Sequence, residues 1–310
     1  MVLDRGNNIN YLKMKKVFIP LLLVMPFIFF HSCKREMNTR AINTEEKKYS
    51  DSELVIIFSS LGKFHNDGLD SIYTFLESKK ALINSIPNNI EKRNLIYSLI
   101  NQSLHKFIND HLHNTETNID DILNSLFNGN TVNLYGKDIV TQVTTSKRNI
   151  FFSPTYLALL NKVDSLININ AKEYAYNILV TENLQSLDDN FEKMQFIASA
   201  SIAFNSTNYW NANLRKWNYL LNNNYVEKTN MSVPANPNKT GNDIGKADVS
   251  GIIYGGVIGC GLGAFGGSII LPGIGTVTGC AGVGALGALT GGLGNSAKTA
   301  VDKFVDWLTN

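Results

Sequence analysis

Charged residues are missing from one long stretch of this sequence, because none occurs between Val249 and Ala297. Elsewhere the charges balance, with 28 Lys and Arg against 26 Asp and Glu, so nothing indicates electrostatic binding to nucleic acid. Cysteine is scarce too, with three in the whole chain. The G-x-S-x-G, H-E-x-x-H and P-loop motifs are all absent. We therefore expect neither an enzyme nor a cofactor site.

Glycine takes the place of charge in this stretch and recurs at every fourth residue. The first register consists of Gly251, Gly255, Gly259, Gly263 and Gly267. The second consists of Gly275, Gly279, Gly287 and Gly291, with Val283 in the gap. A spacing of four places residues on one helix face. A glycine face lets two helices approach closely, as helices do when they associate in lipid.

This glycine content favours helix formation in lipid over water. Each glycine inside a solvated helix costs about 1 kcal/mol relative to alanine, whereas hydrocarbon forces the backbone to hydrogen-bond internally. The arms on either side of Pro272 and Gly273 are each about 20 residues, which is enough to cross a bilayer. We predict a transmembrane helical hairpin over residues 249–294, with Pro272 and Gly273 in its turn. Its partners are the lipid bilayer and further copies that associate through glycine faces.

Two cysteines, Cys260 and Cys280, lie symmetrically about this turn. They are either a disulfide pair in an oxidising compartment or two small residues that suit close packing. After the hairpin, Val301 and Phe304 share a helix face, which predicts a short amphipathic helix over residues 295–310. Trp307 suits a lipid–water interface. The alternative is a helix packed on the rest of the protein.

The first 33 residues are typical of an export signal. Lysines precede an apolar run over residues 17–30, and Cys33 follows Ser32 directly. Met14 is the expected start of translation. This segment resembles the lipobox of bacterial lipoproteins, which implies an acylated Cys33 and an exported, membrane-anchored protein. Residues 34–50 are then a tether, and Lys34 and Arg35 favour the periplasmic face of the outer membrane. The alternative is an ordinary signal peptide with an incidental cysteine.

Apolar residues at helical spacing predict a mostly α-helical domain over residues 51–225. One such stripe joins Leu54, Phe58, Leu61 and His65. Residues 226–248 contain prolines and asparagines, which predicts a polar linker ahead of the hairpin. The histidines of this domain do not predict a metal site, because His105, His111 and His113 lack a pair spaced by three or four residues.

Residues 245–310 resemble glycine-zipper segments, including those of pore-forming class II bacteriocins. This resemblance implies a bacteriocin-like effector that makes membranes permeable, with an immunity protein as its partner. The alternative is a non-toxic envelope scaffold or binding lipoprotein, with the hairpin as a membrane anchor and another envelope protein as the partner. The segment His65-Asn66-Asp67-Gly68-Leu69, together with Tyr209-Trp210, resembles uncharacterised exported proteins of Gram-negative bacteria that also end in glycine-rich tails.

Overall fold

A computed structural model describes residues 49–114, 137–145, 152–221, 237–263 and 268–309, and these are mostly helical, as predicted. The chain divides into two compact units, Met1–Glu45 and Glu46–Asn310, and every described residue belongs to the second. The predicted signal segment, Met14 and Cys33 lie outside the described residues, as does Gly267.

The helices follow one another through the second unit. They are α1 (Asp51–Ser59), α2 (Leu61–Ser78), α3 (Lys80–Ser85), α4 (Asn89–His111), α5 (Ile139–Thr145), α6 (Pro154–Asn168), α7 (Glu173–Asn183), α8 (Asn190–Leu221), α9 (Pro237–Gly263) and α10 (Gly279–Thr309). Three short strands accompany them: β1 (His113–Asn114), β2 (Ser268–Leu271) and β3 (Gly275–Thr278).

Local sequence explains where several of these helices begin. Ser50 and Glu53 form a capping box at the start of α1, in which each side chain bonds the other residue's backbone amide. The Asn88 side chain accepts hydrogen bonds from two amides at the start of α4. Ser153 caps α6, whose first residue is Pro154, a residue favoured there because its missing amide proton is not needed.

The centre of the fold is the antiparallel helix pair α9 and α10, which pack on each other through glycine. A side chain at Gly255 would meet the backbone of Gly287, with the Gly287 carbonyl carbon 2.7 Å from the added Cβ. A side chain at Gly251 would likewise meet Gly291, and one at Gly259 would meet the Val283 backbone. Helix backbones therefore touch along three turns, in the register that the spacing of four indicates.

Other helices enclose this pair on its remaining sides. Helix α8 packs along α9, helices α5 and α6 cover another side of α9, and α2 and α4 cover α10. The apolar side chains that point away from the glycine contact are fully buried under these helices: Ile252, Ile253, Leu286, Leu289 and Leu293. The glycine segment is thus the core of a helical domain.

A small antiparallel sheet, in the order β1-β2-β3, closes one end of the pair. Strands β2 and β3 form a hairpin in which Ile269 lies opposite Val277. Its turn contains Pro272 and Gly273, and Gly273 has φ +77°, a conformation that favours glycine. The predicted helix–turn–helix is wrong here, since the two helices are joined by strands. Gly275 in β3 and Gly279 at the start of α10 have φ +95° and +65°. Glycine is therefore needed at these two positions for the backbone conformation, and not for the packing of one helix on another.

Two predicted boundaries are also wrong. The described part of the linker, residues 237–248, is the beginning of α9, because Ile244 and Ala247 are buried in the core. The separate C-terminal helix over 295–310 does not exist, because α10 runs without a break from Gly279 to Thr309. Within the described residues, no helix combines the length and the hydropathy of a membrane span.

The glycine contact can be tested with two alanine variants of α9. Gly255→Ala places a methyl group against the Gly287 backbone, so we expect the free energy of unfolding to fall by about 1–3 kcal/mol. Gly261→Ala is the matched control, because nothing lies within 4 Å of its added Cβ. The control should gain up to about 1 kcal/mol from helix propensity. Urea unfolding measures both, and equal effects at the two positions would contradict the close contact.

Candidate functional site

Side chains from four helices meet in a buried polar cluster beside the glycine contact. Asp248 of α9 accepts hydrogen bonds on Oδ2 from the hydroxyls of Ser206 (α8) and Ser296 (α10), the latter at 2.9 Å. The Trp210 indole of α8 donates to Ser296 Oγ at 2.8 Å. His65 of α2 places Nε2 3.5 Å from Asp248 Oδ2, and both side chains are 0% exposed.

Asn66 fixes the orientation of the His65 ring. Its side-chain nitrogen donates to the Asn205 carbonyl at 3.1 Å, so its oxygen faces His65 Nδ1 at 3.3 Å. Nδ1 is therefore the donor, which leaves the lone pair of Nε2 directed at Asp248. A carboxylic acid proton on Asp248 would face this lone pair.

Burial favours the uncharged forms of both groups. It lowers the pKa of His65 to about 4, although hydrogen bonds with Asn66 and the Gly292 backbone act in the opposite direction. Burial raises the pKa of Asp248 well above its usual range, and the bonds from Ser206, Ser296 and Trp210 offset part of that rise. Both shifts extend the pH range over which the neutral imidazole and the protonated carboxyl are favoured.

This cluster contains the serine, histidine and aspartate of a hydrolytic triad, but not its arrangement. The Ser206 hydroxyl donates to Asp248 and not to His65, whereas nucleophilic catalysis needs a base in contact with the hydroxyl. All three side chains are 0% exposed. The chemistry that the geometry supports is the retention of one proton inside a packed core, at the junction of four helices.

The two sequence segments that resemble exported proteins lie side by side at this cluster. Besides His65 and Asn66, the first includes Gly68, where an added Cβ would lie 2.6 Å from Leu293 of α10. In the second, Tyr209 donates to Asp70 Oδ1 at 3.0 Å and accepts from the Trp217 indole at 3.1 Å. Both segments therefore hold α2 and α8 against the glycine pair.

The contact between α8 and α9, here called the polar seam, differs from the glycine contact. Its α8 side is polar and its α9 side is glycine: Gln195 faces Gly256, Thr207 faces Gly245, and Asn211 faces Gly241. Among the described residues, Gln195 Oε1, Thr207 Oγ1 and Asn211 Oδ1 are buried without a hydrogen-bond partner. Each such atom costs about 1–3 kcal/mol. The seam therefore contributes less to stability than its buried area suggests.

One ion pair fastens the charged end of the glycine pair to the rest of the domain, and another joins its two helices. Lys246 of α9 lies 3.2 Å from Asp164 of α6, and both are about nine-tenths buried. Lys303 of α10 lies 2.9 Å from Asp243 of α9. Both pairs lie at the end opposite the β-hairpin. The opposite ends of the pair thus differ in charge.

The remaining predicted residues are distributed as follows. A disulfide joins Cys260 and Cys280 at the uncharged end of the pair. Trp307 lies within α10, and Gly263 is the last residue of α9. His111 Nδ1 donates to the Phe107 carbonyl at 3.0 Å, and its ring stacks on the Phe107 ring. No group of three or more metal-ligating side chains occurs in the part of the chain that the structure describes.

The buried proton predicts a pH dependence of stability. Folded His65 is neutral above about pH 4, whereas an unfolded histidine keeps its proton up to about pH 6.5. Folded Asp248 keeps its proton to a higher pH than unfolded aspartate does, because its pKa is raised. Above about pH 6.5 the folded state therefore binds more protons at this pair than the unfolded state, up to the pH at which Asp248 ionises. Stability should then fall as pH rises, by at most about 1.4 kcal/mol per pH unit.

The test is urea unfolding of the wild type and Asp248→Asn at pH 6 and pH 8. The amide mimics the protonated carboxyl, so the variant should lose less stability than the wild type between these values. An identical loss in both proteins would contradict a protonated Asp248.

No protein-family model, no curated protein and no solved structure matches this chain. No function can therefore be transferred from a relative. The glycine pair and the polar seam are the structural features that bear on function.

Proposed function

We propose that this protein is an exported lipoprotein whose folded domain stores the α9–α10 pair and releases it into a lipid bilayer, which becomes permeable. The observation that carries this proposal is the uncharged glycine pair enclosed by other helices. The close contact between the two helices does not depend on the hydrophobic effect. The apolar outer surface of the pair can be covered either by other helices or by lipid.

The glycine contact suits both environments. Water drives apolar side chains together, but lipid does not, so helices in lipid associate through close backbone packing. Gly251, Gly255 and Gly287 already provide such packing in the folded domain. The Cys260–Cys280 disulfide ties the same two helices at their uncharged end. The pair can therefore leave the domain as one body.

The dimensions of the pair also support the proposal. The uncharged part of α10, from Gly279 to Ala297, measures about 28 Å at 1.5 Å per residue. The uncharged part of α9, from Val249 to Gly263, measures about 22 Å. A bilayer core is about 30 Å thick, so the first would nearly cross it and the second would need the β-hairpin segment as well.

The polar seam is where the domain would open. Separation of α8 from α9 exposes Gln195, Thr207 and Asn211 to water, which supplies the hydrogen bonds that these side chains lack when buried. The glycines opposite them contribute little apolar area. Opening also breaks the buried Ser206–Asp248 and Trp210–Ser296 hydrogen bonds, which water replaces once both sides are exposed. The leucines of α10 that pack under α2 and α4 gain no such replacement from water.

The second candidate function is a scaffold or binding lipoprotein in which the glycine pair remains the core permanently. Two observations favour it: no described helix meets the requirements of a membrane span, and the Lys246–Asp164 pair anchors α9 to α6. The two candidates differ in one respect, namely whether α9 ever leaves α8.

A reversible lock on the seam distinguishes them. The Cβ of a residue at Gly245 would lie 3.6 Å from Thr207 Cβ, within the range of disulfides, so Thr207→Cys with Gly245→Cys should cross-link α8 to α9. We expect the wild-type lipoprotein to release carboxyfluorescein from vesicles of phosphatidylethanolamine and phosphatidylglycerol. The oxidised double variant should release at least tenfold less, and a reducing agent should restore the release.

The controls are the two single variants and the wild type with the same reducing agent, which reports the effect of breaking Cys260–Cys280 alone. If the oxidised double variant released as much dye as the wild type, the seam would have to stay closed during leakage. No release by the wild type at any protein-to-lipid ratio would support the scaffold.

A further inference from the structure

The described chain begins beside the uncharged end of the glycine pair. The amide of Thr278 in β3 donates to the Tyr49 hydroxyl at 3.0 Å. The two hydroxyls, of Tyr49 and Thr278, lie 3.5 Å apart. Tyr49 is the first described residue, and Cys33 precedes it by a segment that spans at most about 55 Å. The described part of the domain therefore begins beside the β2–β3 hairpin.

This hairpin presents a surface of unusual composition, here called the tip and defined as residues 270–278. It contains no charged residue. Ile270 is 40% exposed, Pro272 and Thr276 are exposed, and Ile274 is half-buried. Strand β2 and α10 support the tip from behind, and the Cys260–Cys280 disulfide holds the adjoining helix ends together. An exposed, uncharged, rigid projection beside the anchoring chain is suited to contact with lipid.

We infer that the tip is the surface with which the domain contacts the bilayer that holds the acylated Cys33. This inference rests on the lipoprotein part of the proposed function but not on insertion of the glycine pair. The anchor brings the tip and the bilayer together, and the absence of charge removes the main cost of placing the tip among lipid headgroups and acyl chains. The same absence of charge makes the tip the end of the pair that enters the bilayer first when the pair inserts.

A bilayer fits this surface better than a second copy of the chain. Strand β3 has four residues, and the amide of the last, Thr278, already donates to the Tyr49 hydroxyl, so the edge for pairing with another β-strand is short. The ion-paired residues Asp243, Lys246 and Lys303 lie at the far end of the helix pair. The tip end is therefore the one that a neutral, apolar phase would accept.

The test uses the full lipoprotein, acylated in the cell and reconstituted in phosphatidylcholine vesicles. A single new cysteine, Ile274→Cys or Thr276→Cys, carries an environment-sensitive fluorophore. Because Cys33 is acylated and Cys260 is bonded to Cys280, one label should attach per chain. Nitroxide lipids labelled near the headgroup should quench either tip fluorophore at least threefold more than they quench a control.

The control is Ile90→Cys, at the first turn of α4. Ile90 is 69% exposed, and it lies about 33 Å along α4 from β1, the strand that pairs with β2. Quenching only at the tip supports the inference. Equal quenching at both ends, or protection of the tip by a second copy in a concentration-dependent manner, overturns it. Two labels per chain and no flotation with vesicles would show that Cys33 is not acylated, which overturns the anchor and this inference together, whatever the leakage assay gives.

Discussion

The contact of two helix backbones through glycine is the constraint on which the rest of the fold depends. Gly251, Gly255 and Gly287 leave no room for side chains between α9 and α10, so the pair gains little from apolar burial on its inner side. The outer faces of both helices must therefore be covered. This cover is provided by helices α2, α4, α5, α6 and α8. The need to cover the pair explains their amphipathic sequences.

The helices that cover the pair differ in polarity from one side to the other, and this difference bears on the proposed function. On the α10 side leucines are fully buried, whereas on the α9 side α8 contributes Gln195, Thr207 and Asn211 with unmet hydrogen bonds. The buried His65 and Asp248 lie where four helices meet, and Asp248 accepts hydrogen bonds from Ser206 and Ser296. A domain with a strong inner pair and a weaker seam can separate along one surface without losing the pair itself.

The sequence predicts the helical stripes and the shared helix face of Gly251, Gly255 and Gly259, because both depend on local spacing. It does not predict that Gly275 and Gly279 lie outside such a face. It also placed Cys260 and Cys280 near each other through their symmetry about the turn. The β-hairpin was missed because the glycine period was extended through Ile269 and Val277, although β-branched residues favour strands. The prolines of residues 226–248 indicate a linker, yet Pro237 is the first residue of α9, because proline is favoured in a first helical turn. The meeting of His65 with Asp248 has no periodic signal and depends on the packing of distant helices.

The central claim is that α9 and α10 move together while α8 and α9 part. Pulsed electron paramagnetic resonance tests it directly, with one spin label at Gly261 of α9 and the other at Lys298 of α10 or at the exposed Ala212 of α8. On addition of vesicles, the account predicts an unchanged Gly261–Lys298 distance and a longer Gly261–Ala212 distance. Two unchanged distances would contradict release of the pair, and two longer ones would contradict its integrity.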